Sequence, residues 1–323
     1  MILAGDVGGT KTRLALFDTE QGGGRLRARN ERTYPSREHR NLEAIVARFQ
    51  RDVPAPIERA AFGVAGPVRD GVCVTTNLPW VVEAASLARL LRLSGSGLLN
   101  DLEATAWGLA ELREEDTVTL QAGAAGAAGN SAIIAAGTGL GEAGLFWNGR
   151  RHVPFATEGG HADFAPRSTI EDELLRHLRA RYDRVSWERV VSGPGLVEIH
   201  DFLSGRDGTK TVEVDSGEDR GPEITRAALA GTSRVASEAL DLFVSAYGAE
   251  AGNLALKMMA TGGLFVGGGI APRIIDRILA GGFMGAFLDK GRMRPLLQAM
   301  PVRVVLNDRT ALLGAARQAA EMP

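Results

Sequence analysis

The chain has 323 residues, enough for two domains at roughly 100–200 residues each, and its 45% hydrophobic and 24% charged residues are the balance of a globular protein with a large core. Its net charge of −2, from 37 basic and 39 acidic residues, offers no basic field for nucleic acid and no basic run for a lipid surface. One cysteine, Cys73, excludes an intrachain disulfide framework and a cysteine-built zinc site; with no basic leader and no run near ~18 apolar residues, the chain reads as cytoplasmic and free of membrane spans.

The opening MILAGDVGGTKTRLALFD reads as strand, turn, strand. Gly5, Lys11 and Thr12 fit a Walker A loop, but Thr10 stands where its second glycine belongs. Leu14 and Leu16 alternate with Arg13 and Ala15, the period of a strand, whereas a Walker A lysine opens a helix whose N-terminus faces phosphate. TEQGGG, residues 19–24, reads as a hairpin turn. Leu42, Ile45, Val46 and Phe49 fall at i, i+3, i+4, i+7 and predict a helix over 41–52 with one apolar face. RAAFGVAGPV is a buried strand running into a Gly-Pro turn, and VCVTTNLPW a short strand ending before Pro79. SLARLLRL is helical; GSGLLND is a strand ending at Asn100 and Asp101; LEATAWGLAEL is a helix starting directly after that pair, which gives Asp101 an ordinary use as its N-cap.

GAAGAAGNS reads as a surface loop. AIIAAGTGLGEAGLFWNG then repeats the opening logic of strand, Gly-Thr-Gly turn, strand. Helices follow over 170–181 and 235–256, separated by SGRDGTKTVEVDSGEDRG, which reads as a mobile polar loop. GGLFVGGGIAPRI is strand, glycine turn and helix start; VRVVLND is a last strand and TALLGAARQAAEM a C-terminal helix. Two α/β halves result, with a cleft between them as the natural ligand site.

Glycine-threonine turns between strands present consecutive backbone N–H groups and hydroxyls, a nest for phosphate oxygens that needs no helix dipole. Three such turns in order, DVGGTKT, AAGTGLG and VGGGIAP, resemble those of the actin-like ATPase superfamily of sugar kinases. LLNDLEATAWGL, TEGGHADFAP, SWERVVSGPGL and GNLAL follow that superfamily's bacterial glucokinase family in order and spacing over nearly the whole chain. The resemblance implies a two-domain actin-like ATPase (ribonuclease H-like) α/β fold. A small domain, 1–111 plus 302–323, would carry the first phosphate turn and the catalytic aspartate, and a large domain, 112–301, the rest. It implies ATP-dependent phosphorylation of the 6-hydroxyl of glucose with Mg²⁺, in a homodimer.

Carried onto this chain, the resemblance makes Asp101 the catalytic base and Asn100, Glu158, His161 and Glu188 the partners of sugar hydroxyls. Gly8, Gly9 and Thr10 would line the phosphate site with Gly137, Thr138 and Gly139, and Gly268 and Gly269 would sit by the adenosine. Asp6 would meet Mg²⁺ through water, with no direct protein ligand to the metal. Residue chemistry agrees: carboxylates accept, amides and imidazole do both, and a ring of hydroxyls needs both. Taken singly, His161 would be a structural histidine, Glu188 a solvated charge, Lys11 a surface lysine, and Trp80 and Trp107 core residues.

GGTK also occurs in the repressor–ORF–kinase family of sugar kinases, which makes a kinase for another hexose or an N-acetyl hexosamine the alternative. Many of those proteins hold zinc with three cysteines, which this chain lacks. A sugar-sensing regulator would need an added helix-turn-helix, and an actin-like assembly protein would not need Asn100, Asp101, Glu158 or His161.

Overall fold

The structure is a computed structural model, and it describes residues 1–19, 26–207 and 220–322. TEQGGG from position 20 onward and the polar loop over 208–219 lie outside the described residues. The chain forms two compact units: Met1–Asp116 with Val153–Ala156 and Asn307–Pro323, and Thr117–His152 with Thr157–Leu306. Among the described residues, no helix is long and apolar enough to cross a membrane.

In the first unit, β1 (Ile2–Val7) and β2 (Lys11–Thr19) form an antiparallel hairpin with Val7 opposite Thr12. Lys11 and Thr12 therefore open a strand, which removes the Walker A reading. β3 (Leu26–Pro35) pairs with β2 on the sheet's edge. Its largely exposed, arginine-rich sequence hides a strand from any apolar pattern, as is usual for a protected edge. α1 (Leu42–Asp52) is capped by Asn41, whose Oδ1 accepts the Ala44 N–H at 3.0 Å, and the four predicted apolar residues are buried. β4 (Arg59–Val64) runs parallel to β1. A small meander, β5 (Val68–Arg69), β6 (Val72–Val74) and β7 (Val81–Glu83), precedes α2 (Ala84–Leu91). β8 (Gly97–Asn100) runs parallel to β4 and leads into α3 (Asp101–Gly108).

The sheet order is β3-β2-β1-β4-β8, and both faces are covered. Leu3, Leu14, Phe49, Phe62 and Trp80 fill one side; on the other, Leu312, Ala315 and Ala319 of the C-terminal helix, Thr310–Glu321, meet Ile2, Ala4 and Phe17. Small residues let this helix touch α3 backbone to backbone: a Cβ on Gly314 would stand 1.7 Å from Ala104 O. Trp80 is core, as expected, whereas Trp107 is half-buried.

In the second unit, β9 (Thr117–Gln121) precedes the hairpin of β10 (Ser131–Ala136) and β11 (Leu140–Trp147), which closes with Ala136 opposite Leu140. After β12 (His152–Thr157) come α4 (Thr169–Arg179), α5 (Gly193–Asp207), α6 (Gly221–Leu229) and the long α7 (Arg234–Met258). Ser204 to Asp207, read as the start of a loop, instead end α5. β13 (Gly263–Gly267) and β14 (Val302–Val305) run parallel to β10 in the order β11-β10-β13-β14-β9, with three short helices between them: α8 (Ile275–Leu279), α9 (Gly282–Leu288) and α10 (Arg294–Gln298). Each unit therefore carries a hairpin whose first strand continues into two parallel neighbours.

Tyr247 of α7, fully buried, stitches that sheet at the level of its glycine turns. Its hydroxyl accepts the Ala136 N–H at 3.1 Å and lies 3.1 Å from Gly267 O, to which it donates. Tyr247→Phe strands that N–H without an acceptor, which costs about 1–3 kcal/mol. Chemical denaturation should show that loss with little change in the far-ultraviolet circular dichroism of the native state.

Candidate active site

The first unit holds the turn Gly8-Gly9-Thr10 at the tip of the β1–β2 hairpin. The Gly8 N–H bonds Lys11 O at 2.9 Å and closes the turn. Ser36 braces it from outside: its N–H bonds Thr10 O at 3.0 Å and its hydroxyl donates to Gly8 O at 2.7 Å, while the buried Thr12 hydroxyl lies 3.0 Å from Ser36 Oγ. Ser36 was not legible as a site residue, since nothing local in YPSRE marks a contact to a turn far back in the chain. Thr10 and Lys11 face solvent.

Asp6 lies on β1 in register with Arg13. Burial pushes its carboxyl up to about 6; Arg13 opposes the shift, and the charges of Asp101 and Asp308 add to it. Arg13 is itself held by Asp308 Oδ2 at 2.9 Å. The β8–α3 junction then corrects the capping assignment. The N-cap is Asn100, whose Oδ1 accepts the Glu103 N–H at 2.8 Å, and Asp101 is the first helical residue. Asp101 Oδ1 accepts the Leu102 N–H at 2.9 Å, which lowers its pKa, but the larger effect is desolvation by surrounding protein, which raises it. The side chain is nonetheless accessible to solvent, so a ligand can reach it.

In the second unit, Glu158, His161 and Glu188 come together. His161 Nε2 is 3.9 Å from Glu158 Oε2, and His161 Nδ1 is 3.9 Å from Glu188 Oε1. Two segments distant in sequence are laced to achieve this: Trp187 N–H bonds Ala162 O at 2.9 Å, Phe164 N–H bonds Val185 O at 3.0 Å, and Phe164 packs edge-on against Trp187. Arg184 adds a bond to His161 O at 2.8 Å and one to Asp163 at 2.7 Å. Glu188 is no solvated charge: its Oε2 accepts the Leu140 N–H at 3.0 Å. Gly160 lies so close that a Cβ would be 2.0 Å from Leu140 O.

Leu140 directly follows the turn Gly137-Thr138-Gly139, which is closed by Gly137 N–H to Gly139 O at 2.8 Å and tied to α5 by Gly193 N–H to Gly137 O at 2.8 Å. Gly137, Thr138 and Gly269 line a cavity of about 290 Å³ whose apolar walls include Pro194, Pro222 and Ile270, with Thr225 and Arg273 as polar groups. Gly268, at φ +83°, passes under Ala136 O where a Cβ would be 2.2 Å away. A largely apolar cavity bordered by a glycine-threonine turn suits a heteroaromatic base attached to phosphates.

The family model described as Glucokinase matches residues 3–322. The chain belongs to the glucokinase family. A glucokinase from Nostoc sp. is 42% identical with 100% of this chain and 99% of its own length covered, and one from Citrobacter koseri is 37% identical over 97% and 94%. The crystal structure of a glucokinase from an Antarctic psychrotroph superposes with a TM-score of 0.89 at 31% identity, covering 99% of both chains. A ROK family glucokinase from Streptomyces griseus, in complex with glucose and AMPPNP, shares the fold with a TM-score of 0.65 at 24% identity and 99% coverage of each chain. This chain is thus a hexose kinase built on the two-sheet α/β fold of glucokinases and other actin-like sugar kinases.

The state of Asp6 has a measurable consequence. Folded, it holds its proton to about pH 6; unfolded, it loses it near its ordinary value of 3.8. Asp6 therefore lowers stability increasingly as pH rises through that window. Asp6→Asn should be more stable than the parent at pH 7 by about 1–2 kcal/mol, after allowance for partial exposure, with the gap closing toward pH 4. Denaturation midpoints at the two pH values check this.

Proposed function

We propose that this chain transfers the γ-phosphoryl group of ATP to the 6-hydroxyl of glucose, with Asp101 as base and Asn100, Glu158, His161 and Glu188 as partners of the sugar hydroxyls. The observation that carries this reading is the meeting of Glu158, His161 and Glu188 on backbone-pinned segments. Glu188 keeps one carboxylate oxygen on Leu140 and has the other for a ligand. Asn100 uses its Oδ1 in the cap, so its Nδ2 is the end that donates to sugar. A hexose lacking one of these hydroxyls leaves a polar partner unpaired, the arrangement that discriminates most strongly.

Phosphoryl transfer passes through a loose transition state, so the protein's work is to position the hydroxyl and accept its proton late. The raised pKa of Asp101 makes it a better acceptor than an ordinary aspartate. Gly8, Gly9, Thr10, Gly137, Thr138 and Gly139 bind phosphate oxygens, and Gly268 and Gly269 border the adenosine. Asp6 would hold Mg²⁺ through water, and the ion would supply positive charge against the phosphates. Asp6 suits that place because burial, and after it the charges of Asp101 and Asp308, disfavour its carboxylate, and a nearby cation would offset both. The first unit then serves as the small domain carrying the base and the second as the large domain. A cytoplasmic homodimer is part of this reading, supported by the family resemblance.

Asp101→Asn should bind glucose within a few-fold of the parent by calorimetry yet lose about 10²–10⁴ in kcat, the usual scale of general base catalysis. A near-normal kcat removes Asp101 from the role. Thr10→Val and Thr138→Val should raise the KM for ATP or lower kcat and leave glucose affinity unchanged. The reverse pattern would mean that the two sites are assigned the wrong way round.

A further inference from the structure

Behind the Glu158–His161 turn lies a pair of buried carboxyls that the chemistry above does not use. Glu142 of β11 is 1% exposed and Glu250 of α7 is fully buried. Glu250 is well supplied with donors: Lys257 Nζ at 3.0 Å and Asn253 Nδ2 at 2.7 Å, with Lys290 Nζ in turn 2.6 Å from Asn253 Oδ1. Glu142 is not. Its Oε1 is buried with no hydrogen-bond partner, and the charge that bears on its carboxyl most strongly is that of Glu250, another acceptor. Two carboxylates cannot bond each other; a proton held between them is the donor that this pair lacks.

Glu142 also touches the turn. A Cβ on Gly159 would stand 1.9 Å from Glu142 Oε2, so that carboxyl forms the floor beneath Gly159. Thr157 Oγ1 donates to Glu142 O at 2.8 Å and lies 3.3 Å from the Gly159 N–H, which fixes the turn to the same residue's backbone. Gly159 is flanked by Glu158 and by Gly160-His161. We propose that Glu142 and Glu250 share one proton and that Glu142, in this neutral state, is a positioning residue that sets the height of the sugar-binding turn. This rests on the sugar reading of Glu158 and His161. When the proton is lost, two adjacent negative charges repel beneath Gly159 and the turn loses its floor.

Desolvation, together with the Glu250 charge, holds the Glu142 carboxyl far above the ordinary range, to about 8; Lys257 opposes this. Among the described residues, the Glu142 charge also acts on Tyr247 of α7, and the Glu250 charge on Lys290 after α9, which Arg167, Lys257 and Asp289 influence as well; Glu158 and His161 are on the turn itself.

The test compares the parent with Glu142→Gln, which keeps a neutral side chain with an N–H donor for Glu250. For the parent, the glucose KM should rise about tenfold as pH passes above about 8, the size of one buried hydrogen bond, with the ATP KM following a flat course. Glu142→Gln should match the parent's glucose KM at pH 7 within about twofold and lose the rise. The two proteins differ at this one side chain, so the comparison isolates its contribution. Identical glucose profiles for the two proteins from pH 6.5 to 9.5 overturn the positioning role.

Melting without ligand gives a second readout that needs no sugar. The folded pair keeps a proton that the unfolded chain releases above the ordinary glutamate value of 4.5, so the parent loses melting temperature relative to Glu142→Gln between about pH 5 and 8. A constant difference across that range overturns the shared proton. If Glu158→Ala and His161→Ala leave the glucose KM unchanged, the sugar reading fails while the melting comparison still reports on the pair. Should Glu142→Gln not fold, Glu250→Gln takes its place, with the same expected loss of the alkaline rise.

Discussion

The second unit is organised around the backbone of Leu140. Its N–H, the first available after the Gly137-Gly139 turn, holds the carboxylate of Glu188; its carbonyl lies directly under Gly160. One peptide step therefore joins a phosphate-type turn, a residue of the candidate sugar site and the loop that carries two others. A hairpin strand is a stiff support, because ladder bonds recur along it and fix its backbone at every second residue on each side. The glycines of EGGH follow from that contact: the turn can lie on the strand only where no Cβ intervenes.

The first unit solves a similar problem by capping and close packing. Asn100 ends β8 and begins α3, so the aspartate after it is delivered at a helix N-terminus with its orientation set by the Leu102 N–H. Ala104 and Gly314 let the C-terminal helix press against α3 and remove slack behind Asp101. The electrostatics are consistent with a site short of cations: Asp6 and Asp101 both hold their protons more tightly than ordinary aspartates, and Arg13 is the nearby positive charge that counters the shift at Asp6.

What the sequence made legible was whatever is encoded locally. Two-residue alternation around Gly-Thr turns marked both hairpins, and the i, i+3, i+4, i+7 spacing marked α1 with its buried face. β3 escaped because an edge strand shows no apolar alternation. The cap was placed one residue late because Asn and Asp both serve there, and only the Glu103 N–H decides between them. Glu158, His161 and Glu188 entered by resemblance; the lacing of 162–164 to 185–187 that unites them has no local signature. Ser36, Tyr247, Arg184 and Glu142 were invisible for one shared reason. Each acts on a distant stretch of backbone, and a serine, tyrosine, arginine or glutamate looks the same whether or not such a contact awaits it.

The central claim is that a kinase site shaped for an unmodified hexose sits on this fold. ADP release with ATP and Mg²⁺ across glucose, mannose, fructose, N-acetylglucosamine and N-acetylmannosamine tests it most directly. The proposed reading, with Glu158, His161 and Glu188 as partners of ring hydroxyls, predicts the highest kcat/KM for glucose. A higher kcat/KM for either N-acetyl hexosamine would contradict the account.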